Sequence, residues 1–121
     1  MLRYRNLGYT IKVRLPEECG YSGEYSVECT YMYDKEKDKY RLSMLLCRED
    51  LPDRYKISGQ EIDTQYISSS RETIKEDICR IVEQASLSGF FDKYVEDFEY
   101  TCQCWDRGNE AFEIERMRNA G

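Results

Sequence analysis

The feature that most constrains the fold is an alternation of apolar and polar side chains that recurs in three segments of the first half of the chain. Because successive side chains of a strand point to opposite faces, this period of two predicts strands with one buried face. The apolar positions are Tyr9, Ile11, Val13 and Leu15 in the first segment, Tyr25, Val27, Cys29, Tyr31 and Tyr33 in the second, and Tyr40, Leu42, Met44 and Leu46 in the third. Polar turns at 17–23 and 34–39 separate the segments, which predicts an antiparallel meander.

The middle of the chain adds a fourth strand and then changes to helical periodicity. Residues 61–67 predict the strand, with Ile62 and Tyr66 on the same face. The apolar stripe of the helix that follows consists of Ile74, Ile78, Ile81, Val82 and Ala85. Ser69 and Glu72 have the spacing of a capping box, so we expect them to bond the backbone at the start of this helix.

The last third of the chain predicts three further elements. Residues 91–98 have helical spacing, residues 98–104 return to a period of two that is typical of a strand, and Gly108 is expected to separate that strand from a terminal helix at 109–118. The sequence therefore predicts one α+β domain spanning residues 1–121. Its expected architecture is an antiparallel β-meander of three to five strands, with one or two amphipathic helices packed on one face.

Charge divides the chain unevenly, because a net charge of −6 includes a basic N-terminal segment. An acidic protein repels phosphate backbones, which argues against a general nucleic-acid binder. The first fifteen residues are the exception, since they carry four cations and no carboxylate. These cations are the candidate nucleic-acid-binding residues: Arg3, Arg5, Lys12 and Arg14.

Hydropathy and cysteine usage indicate a compartment. The N-terminus has no apolar stretch of signal-peptide length, and no run of residues is long enough to span a bilayer. We therefore expect a soluble cytoplasmic protein whose six cysteines are reduced thiols.

The sequence lacks the residue patterns of the common catalytic sites. Histidine is absent, which removes the most frequent general base and every triad that needs an imidazole. Pro52 and Asp53 precede Glu61 as in one nuclease core, but the lysine that this core requires after Glu61 is missing. Cys102 and Cys104 would share one face of the predicted strand, yet no other cysteine has the spacing of a zinc site. We expect no enzymatic activity, no metal and no cofactor.

Two surface features indicate binding instead of catalysis. Carboxylates on the predicted helices are candidates for contacting a basic groove on another protein, although a solvated helix face is the common alternative. These candidate partner-binding residues are Glu72, Glu76, Glu83, Asp92, Glu96, Asp97 and Glu99. Eleven tyrosines are the second feature. Most strand tyrosines share the parity of Val, Ile and Leu, which favours core packing, but tyrosine is also enriched at interfaces and can stack on RNA bases.

Several stretches together resemble a known family. They are YRNLGYT at 4–10, YMYDK at 31–35 with YRLS at 40–43, QEIDTQYIS at 60–68 and RETI at 71–74. These stretches resemble small proteins of Gram-positive mobile elements, specifically a type II-A anti-CRISPR family that inhibits Cas9. The resemblance implies a non-enzymatic inhibitor that binds Cas9 or its guide-RNA complex and blocks guide-RNA loading or target-DNA binding. The alternatives are a small RNA-binding or RNA-processing protein that uses the basic N-terminal segment, and a structural accessory that only oligomerises.

Overall fold

The chain forms one antiparallel sheet followed by two helices. The structure is a computed structural model that describes residues 4–6, 8–21, 24–51 and 59–120, with side chains as far as residue 108. Its strands are β1 (Tyr4–Asn6), β2 (Thr10–Arg14), β3 (Tyr25–Asp34), β4 (Lys39–Arg48) and β5 (Gln60–Ile67), and its helices are α1 (Ile74–Leu87) and α2 (Asp92–Ala120). The strands lie in chain order and every neighbouring pair is antiparallel, which confirms the predicted α+β meander.

The register of the strands gathers the apolar positions on one face. Val13 lies opposite Val27, and Val27 lies opposite Leu46, so the three side chains form a row across the sheet. All three are fully buried. The helices cover this face and contribute Ile78, Val82 and Phe98 to the same core, and Phe91 joins it from the turn before α2. We call the opposite side of β1–β5 the open face of the sheet, because no described helix covers it.

The pairing of β4 with β5 contains an irregularity that changes which side chains are buried. Leu42 lies opposite Gln65 but Met44 lies opposite Ile62, so two residues of β5 occupy the space of one residue of β4. Such a bulge reverses the alternation beyond it. Ile62 is therefore buried while Tyr66 is 40% exposed on the open face. The prediction that Ile62 and Tyr66 share a face is wrong for this reason.

Helix α1 has the predicted stripe but a different start. Ile74, Ile78 and Val82 are buried against the sheet. The predicted capping box is wrong: Ser69 Oγ donates to Asp77 Oδ2 at 2.5 Å, and the helix begins at Ile74 with no side-chain cap from Thr73. Asp77 thus accepts hydrogen bonds from the hydroxyls of Ser69 and Thr73, which are side-chain contacts and not the predicted bonds to the backbone.

The last element is a single long helix, so the predicted strand at 98–104 is wrong. Phe98 and Cys102 are buried, whereas Tyr100 is 62% exposed, and a strand would have given all three the same face. Val95, Phe98 and Cys102 follow one another at spacings of three and four, which is the period of a helix. Gly108 lies inside the helix and does not end it. Among the described residues, no helix combines the length and apolar character needed to cross a membrane.

Candidate macromolecule-binding surfaces

The predicted nucleic-acid-binding cations lie on the open face of the sheet. Arg5 on β1 is the partner of Lys12 on β2, and Arg14 follows Lys12 by two residues. The three side chains therefore point to the same side, away from the helices. Arg3 lies outside the described residues.

Carboxylates on neighbouring strands neutralise two of these cations. Lys12 Nζ lies 3.8 Å from Glu28 Oε1 and also forms an ion pair with Glu49. Arg14 pairs with Glu24 at 3.5 Å. The hydrogen bond from Lys12 holds the pKa of Glu49 below its usual range. The basic strand is thus part of a mixed-charge surface, which offers a phosphate backbone much less attraction than four free cations would.

The predicted partner-binding carboxylates of α2 do not form one group. Asp92, Glu96 and Glu99 follow at spacings of four and three, so they share one stripe of the helix. Asp97 lies on a different side, because one residue turns a helix by about 100°. Glu96 and Asp97 are exposed, and their carboxylates make no hydrogen bond or ion pair with any described residue.

Two carboxylates of that stripe accept hydrogen bonds from tyrosines, one in the loop before β3 and one on β3. Tyr21 donates its hydroxyl to Asp92 Oδ1 at 2.5 Å, and Tyr25 donates to Glu99 Oε1 at 3.3 Å. Burial is the main cause that raises the pKa of both tyrosines, and the neighbouring carboxylates add to it. Asp92 and Glu99 therefore help to attach α2 to the sheet, which the sequence pattern did not indicate.

The carboxylates of α1 occupy its outer flank. Glu76 and Glu83 are two turns apart on the same side of the helix, and both are half-buried. Glu72 is exposed in the turn that precedes the helix. The predicted set of seven is thus divided over several positions of the helical layer, and its exposed members are Glu72, Asp92, Glu96 and Asp97.

The cysteines do not form the predicted pair. Cys102 is buried and Cys104 is exposed, because a helix turns their side chains about 200° apart. Cys29 and Cys79 lie in the core, and desolvation raises the pKa of their thiols to about 12 and about 11. Such thiols are weak nucleophiles and weak metal ligands at neutral pH. Within the described residues, no three His, Cys, Asp or Glu side chains are grouped as metal ligands would be.

A groove lined by tyrosines is the surface that sequence reasoning missed. It lies between the first turn of α1 and the end of β3, and its volume is about 600 Å³. Tyr9, Tyr31, Tyr33, Tyr40, Arg71 and Lys75 are among the residues that line it. The alternation predicted Tyr9 and Tyr33 in the core, but Tyr9 is 84% exposed and Tyr33 is 47% exposed. We call this surface the tyrosine groove.

The groove tyrosines lie on the face of the sheet that the alternation predicts, but no described helix or strand covers Tyr9 and Tyr33 there. β2 begins at Thr10 and α1 begins at Ile74, so neither element reaches the end of β3. The excess of tyrosine over aliphatic residues at this end of β3 is the one sequence signal that could have indicated an open surface.

Comparisons of the chain with protein-family models, with curated proteins and with solved structures give no match.

Proposed function

We propose that this protein is a non-enzymatic inhibitor that binds Cas9 and blocks guide-RNA loading or target-DNA binding. The resemblance of the four sequence stretches supports the choice of partner. The charge distribution supports a protein as the target of the acidic helices. A type II-A effector holds its nucleic acids in a positively charged channel, so an inhibitor that occupies the channel needs carboxylates at its surface.

The observation that carries the proposal is the contrast between the two charged surfaces. On the open face of the sheet, Lys12 and Arg14 are already paired with carboxylates. On the helical layer, Glu72, Glu96 and Asp97 are exposed, and their carboxylates have no hydrogen-bond or ion-pair partner among the described residues. Cations on a partner can bind these three carboxylates without first breaking an internal ion pair.

The overall charge of the helical layer, residues 71–107, also supports a basic protein surface as the partner. Residues 71–107 carry nine carboxylates and five cations. Complementary potentials of this kind accelerate the encounter with a basic surface and exclude nucleic acid from the same surface. The contribution to affinity falls as salt is added, because exposed charges are screened over about 8 Å at physiological ionic strength.

The RNA-binding alternative is less well supported. Its candidate cations Lys12 and Arg14 would have to exchange carboxylate partners for phosphates, and Glu49 and Glu24 would remain beside the bound RNA. Repulsion from these carboxylates offsets the gain from each phosphate contact.

Charge reversal on the helical layer tests the proposal. The variant Glu72→Lys, Glu96→Lys, Asp97→Lys changes three exposed carboxylates that have no described internal role. The matched control Glu17→Lys, Glu36→Lys, Glu61→Lys makes the same change in net charge at exposed positions outside α1 and α2. Inhibition of target-DNA cleavage by Cas9 is measured for both variants and for the unaltered protein, at equal salt.

We expect the unaltered protein to abolish cleavage at near-stoichiometric amounts. The helical variant should lose at least tenfold in potency, because three favourable contacts become repulsive, while the control should change by less than threefold. Equal loss in both variants would show that net charge alone acts. An unaltered protein that leaves cleavage intact would overturn the proposal.

A further inference from the structure

The tyrosine groove exists because β3 is longer than its neighbour on one side. β3 continues to Asp34, but its last pair with β2 joins Thr30 to Thr10. On its other side, β3 pairs with β4 as far as Asp34 and Lys39. The four residues after Thr30 therefore have a strand on one side only. No described residue forms a strand on the other side.

The backbone of Tyr33 points toward this unpaired edge of β3. Tyr31 N–H donates to Tyr9 O at 3.4 Å, which shows that the polar groups of Tyr31 face β2. In an antiparallel ladder, residues two apart direct their backbone groups to the same side. Tyr33 N–H and C=O are consequently directed past the end of β2, where no described residue is hydrogen-bonded to them.

The side chains of the groove are held in place although they are exposed. The rings of Tyr31 and Tyr33 contact Tyr40 edge to face, with centroids 6.2 Å and 5.5 Å apart. Aromatic pairs of this geometry restrict the rings without covering their outer surfaces. An apolar side chain that binds here would contact rings that are already ordered, so binding would not have the entropy cost of ordering them.

Two cations line the groove, although the net charge of the protein is −6. Arg71 and Lys75 line the groove, and neither forms an ion pair with a described residue. Arg80, outside the groove on the same helix, is paired with Asp77 at 3.5 Å. Arg71 and Lys75 are therefore complementary to carboxylates, although the hydroxyl of Tyr33 already binds the carboxylate of Asp38.

We propose that the tyrosine groove binds an extended acidic segment of a partner protein, which pairs with the backbone of Tyr33 as a short added strand. An apolar side chain of the segment packs against the tyrosine rings, and its carboxylates bind Arg71 and Lys75. Strand addition of this kind takes affinity from backbone hydrogen bonds and specificity from alternate side chains. The groove residues differ from the carboxylates that the charge-reversal test changes, although Glu72 adjoins Arg71 in the chain, so peptide binding and Cas9 binding are measured separately.

A peptide fits these observations better than a nucleic acid does. Nucleotides could stack on the tyrosines and contact Arg71, but they have no group that repeats the hydrogen-bonding pattern of a strand edge. The net charge of −6 also opposes a polyanion at long range.

A displayed library of random twelve-residue peptides tests the proposal. The full-length protein is the bait, and the most enriched peptide is synthesised and titrated into labelled protein while backbone amide resonances are recorded. We expect enriched peptides to combine Asp or Glu with apolar residues, and the amides of Tyr31 and Tyr33 to shift. The oligonucleotide dT10 is titrated in parallel.

Two pairs of variants separate the contributions of backbone and charge. Tyr33→Pro removes the ring and the N–H, whereas Tyr33→Val removes only the ring, so the difference between them reports the backbone bond. We expect Tyr33→Pro to bind about fivefold more weakly than Tyr33→Val, as one hydrogen bond predicts. Arg71→Glu should weaken binding at least tenfold, while Lys93→Glu, an exposed cation of α2, should have little effect.

Each of several results would overturn the inference. They are no enrichment of peptides, enrichment of basic peptides, amide shifts outside the groove, and binding that Arg71→Glu leaves intact. Tighter binding of dT10 than of the selected peptide would assign the groove to single-stranded nucleic acid instead. If Tyr33→Pro disturbs the fold, the comparison of Arg71→Glu with Lys93→Glu still tests the proposal.

Discussion

Lys12 on β2 and Glu49, the first residue after β4, form an ion pair across the open face of the sheet. Ser26 on β3, the strand between them, donates its hydroxyl to the same carboxylate at 3.3 Å. A side chain that the sequence indicated as a phosphate contact is thus bound to the protein itself. Because this ion pair occupies Lys12, the carboxylates of the helices are better candidates for a partner-binding surface than the basic strand is.

This pair predicts a defined pH dependence. The folded state lowers the pKa of Glu49, so its stabilisation is complete above the unfolded value of about 4.3 and is lost as the pH falls through the lower folded value. Because the side chain of Glu49 is 44% exposed, Glu49→Gln should cost only about 0.5 kcal/mol at pH 7. Urea unfolding at pH 7 and at pH 3 measures the difference, which should shrink at the lower pH. A constant difference would contradict the pairing.

The hydrogen bond between Tyr25 and Glu99 predicts a coupling between sheet and helix. Tyr25 is only 2% exposed, and Tyr25→Phe removes the hydroxyl that donates to Glu99. The substitution should therefore lower the free energy of unfolding by about 1 kcal/mol. A double-mutant cycle with Glu99→Ala should give a coupling of at least about 0.5 kcal/mol. If Glu99 served only a partner, the two substitutions would be additive.

The course of α2 predicts opposite outcomes for two aromatic residues two positions apart. Phe98 is 1% exposed and packs edge to face on Tyr25 with centroids 5.7 Å apart. Phe98→Ala should therefore cost about 3–5 kcal/mol. Tyr100→Ala removes an exposed ring and should change the free energy of unfolding by no more than about 0.5 kcal/mol. Similar losses in the two variants, measured by denaturant unfolding, would support a strand at this position.

Two glycines predict changes of opposite sign. A Cβ at Gly108 would meet no atom within 4 Å inside α2, so Gly108→Ala should raise helicity and stability by about 0.5–1 kcal/mol. At Gly59, φ is +155° and a Cβ would lie 2.7 Å from Leu46 O, so Gly59→Ala should be destabilising by more than about 1 kcal/mol. Circular dichroism with thermal unfolding measures both. A destabilising Gly108→Ala would contradict a continuous helix.

The sequence predicts the elements whose apolar residues follow one clear periodicity, either that of a strand or that of a helix. Ile11, Val27 and Leu42 lie where the alternation predicts, and Ile78 and Val82 lie where the helical stripe predicts. The errors arise where tertiary context decides. The bulge in β5 needs knowledge of the partner strand. The segment 98–104 carries apolar residues that fit both periods, and only packing against Tyr25 selects the helix.

The candidate surfaces were harder to predict for a similar reason. Sequence identifies which residues are charged, but it does not show that Lys12 faces Glu49 across β3, or that Asp92 and Glu99 accept hydrogen bonds from tyrosine hydroxyls. The exposure of Tyr9 depends on where β2 and α1 begin, which the alternation of one strand does not encode.

We propose that this protein acts by binding Cas9, and a direct binding measurement tests that proposal best. Purified protein is titrated into Cas9 alone and into Cas9 loaded with guide RNA, and complex formation is followed by calorimetry. We expect a stoichiometric complex with at least one of the two forms, weakened by added salt, and the form that binds identifies the stage of inhibition. Absence of binding to both forms would contradict the account.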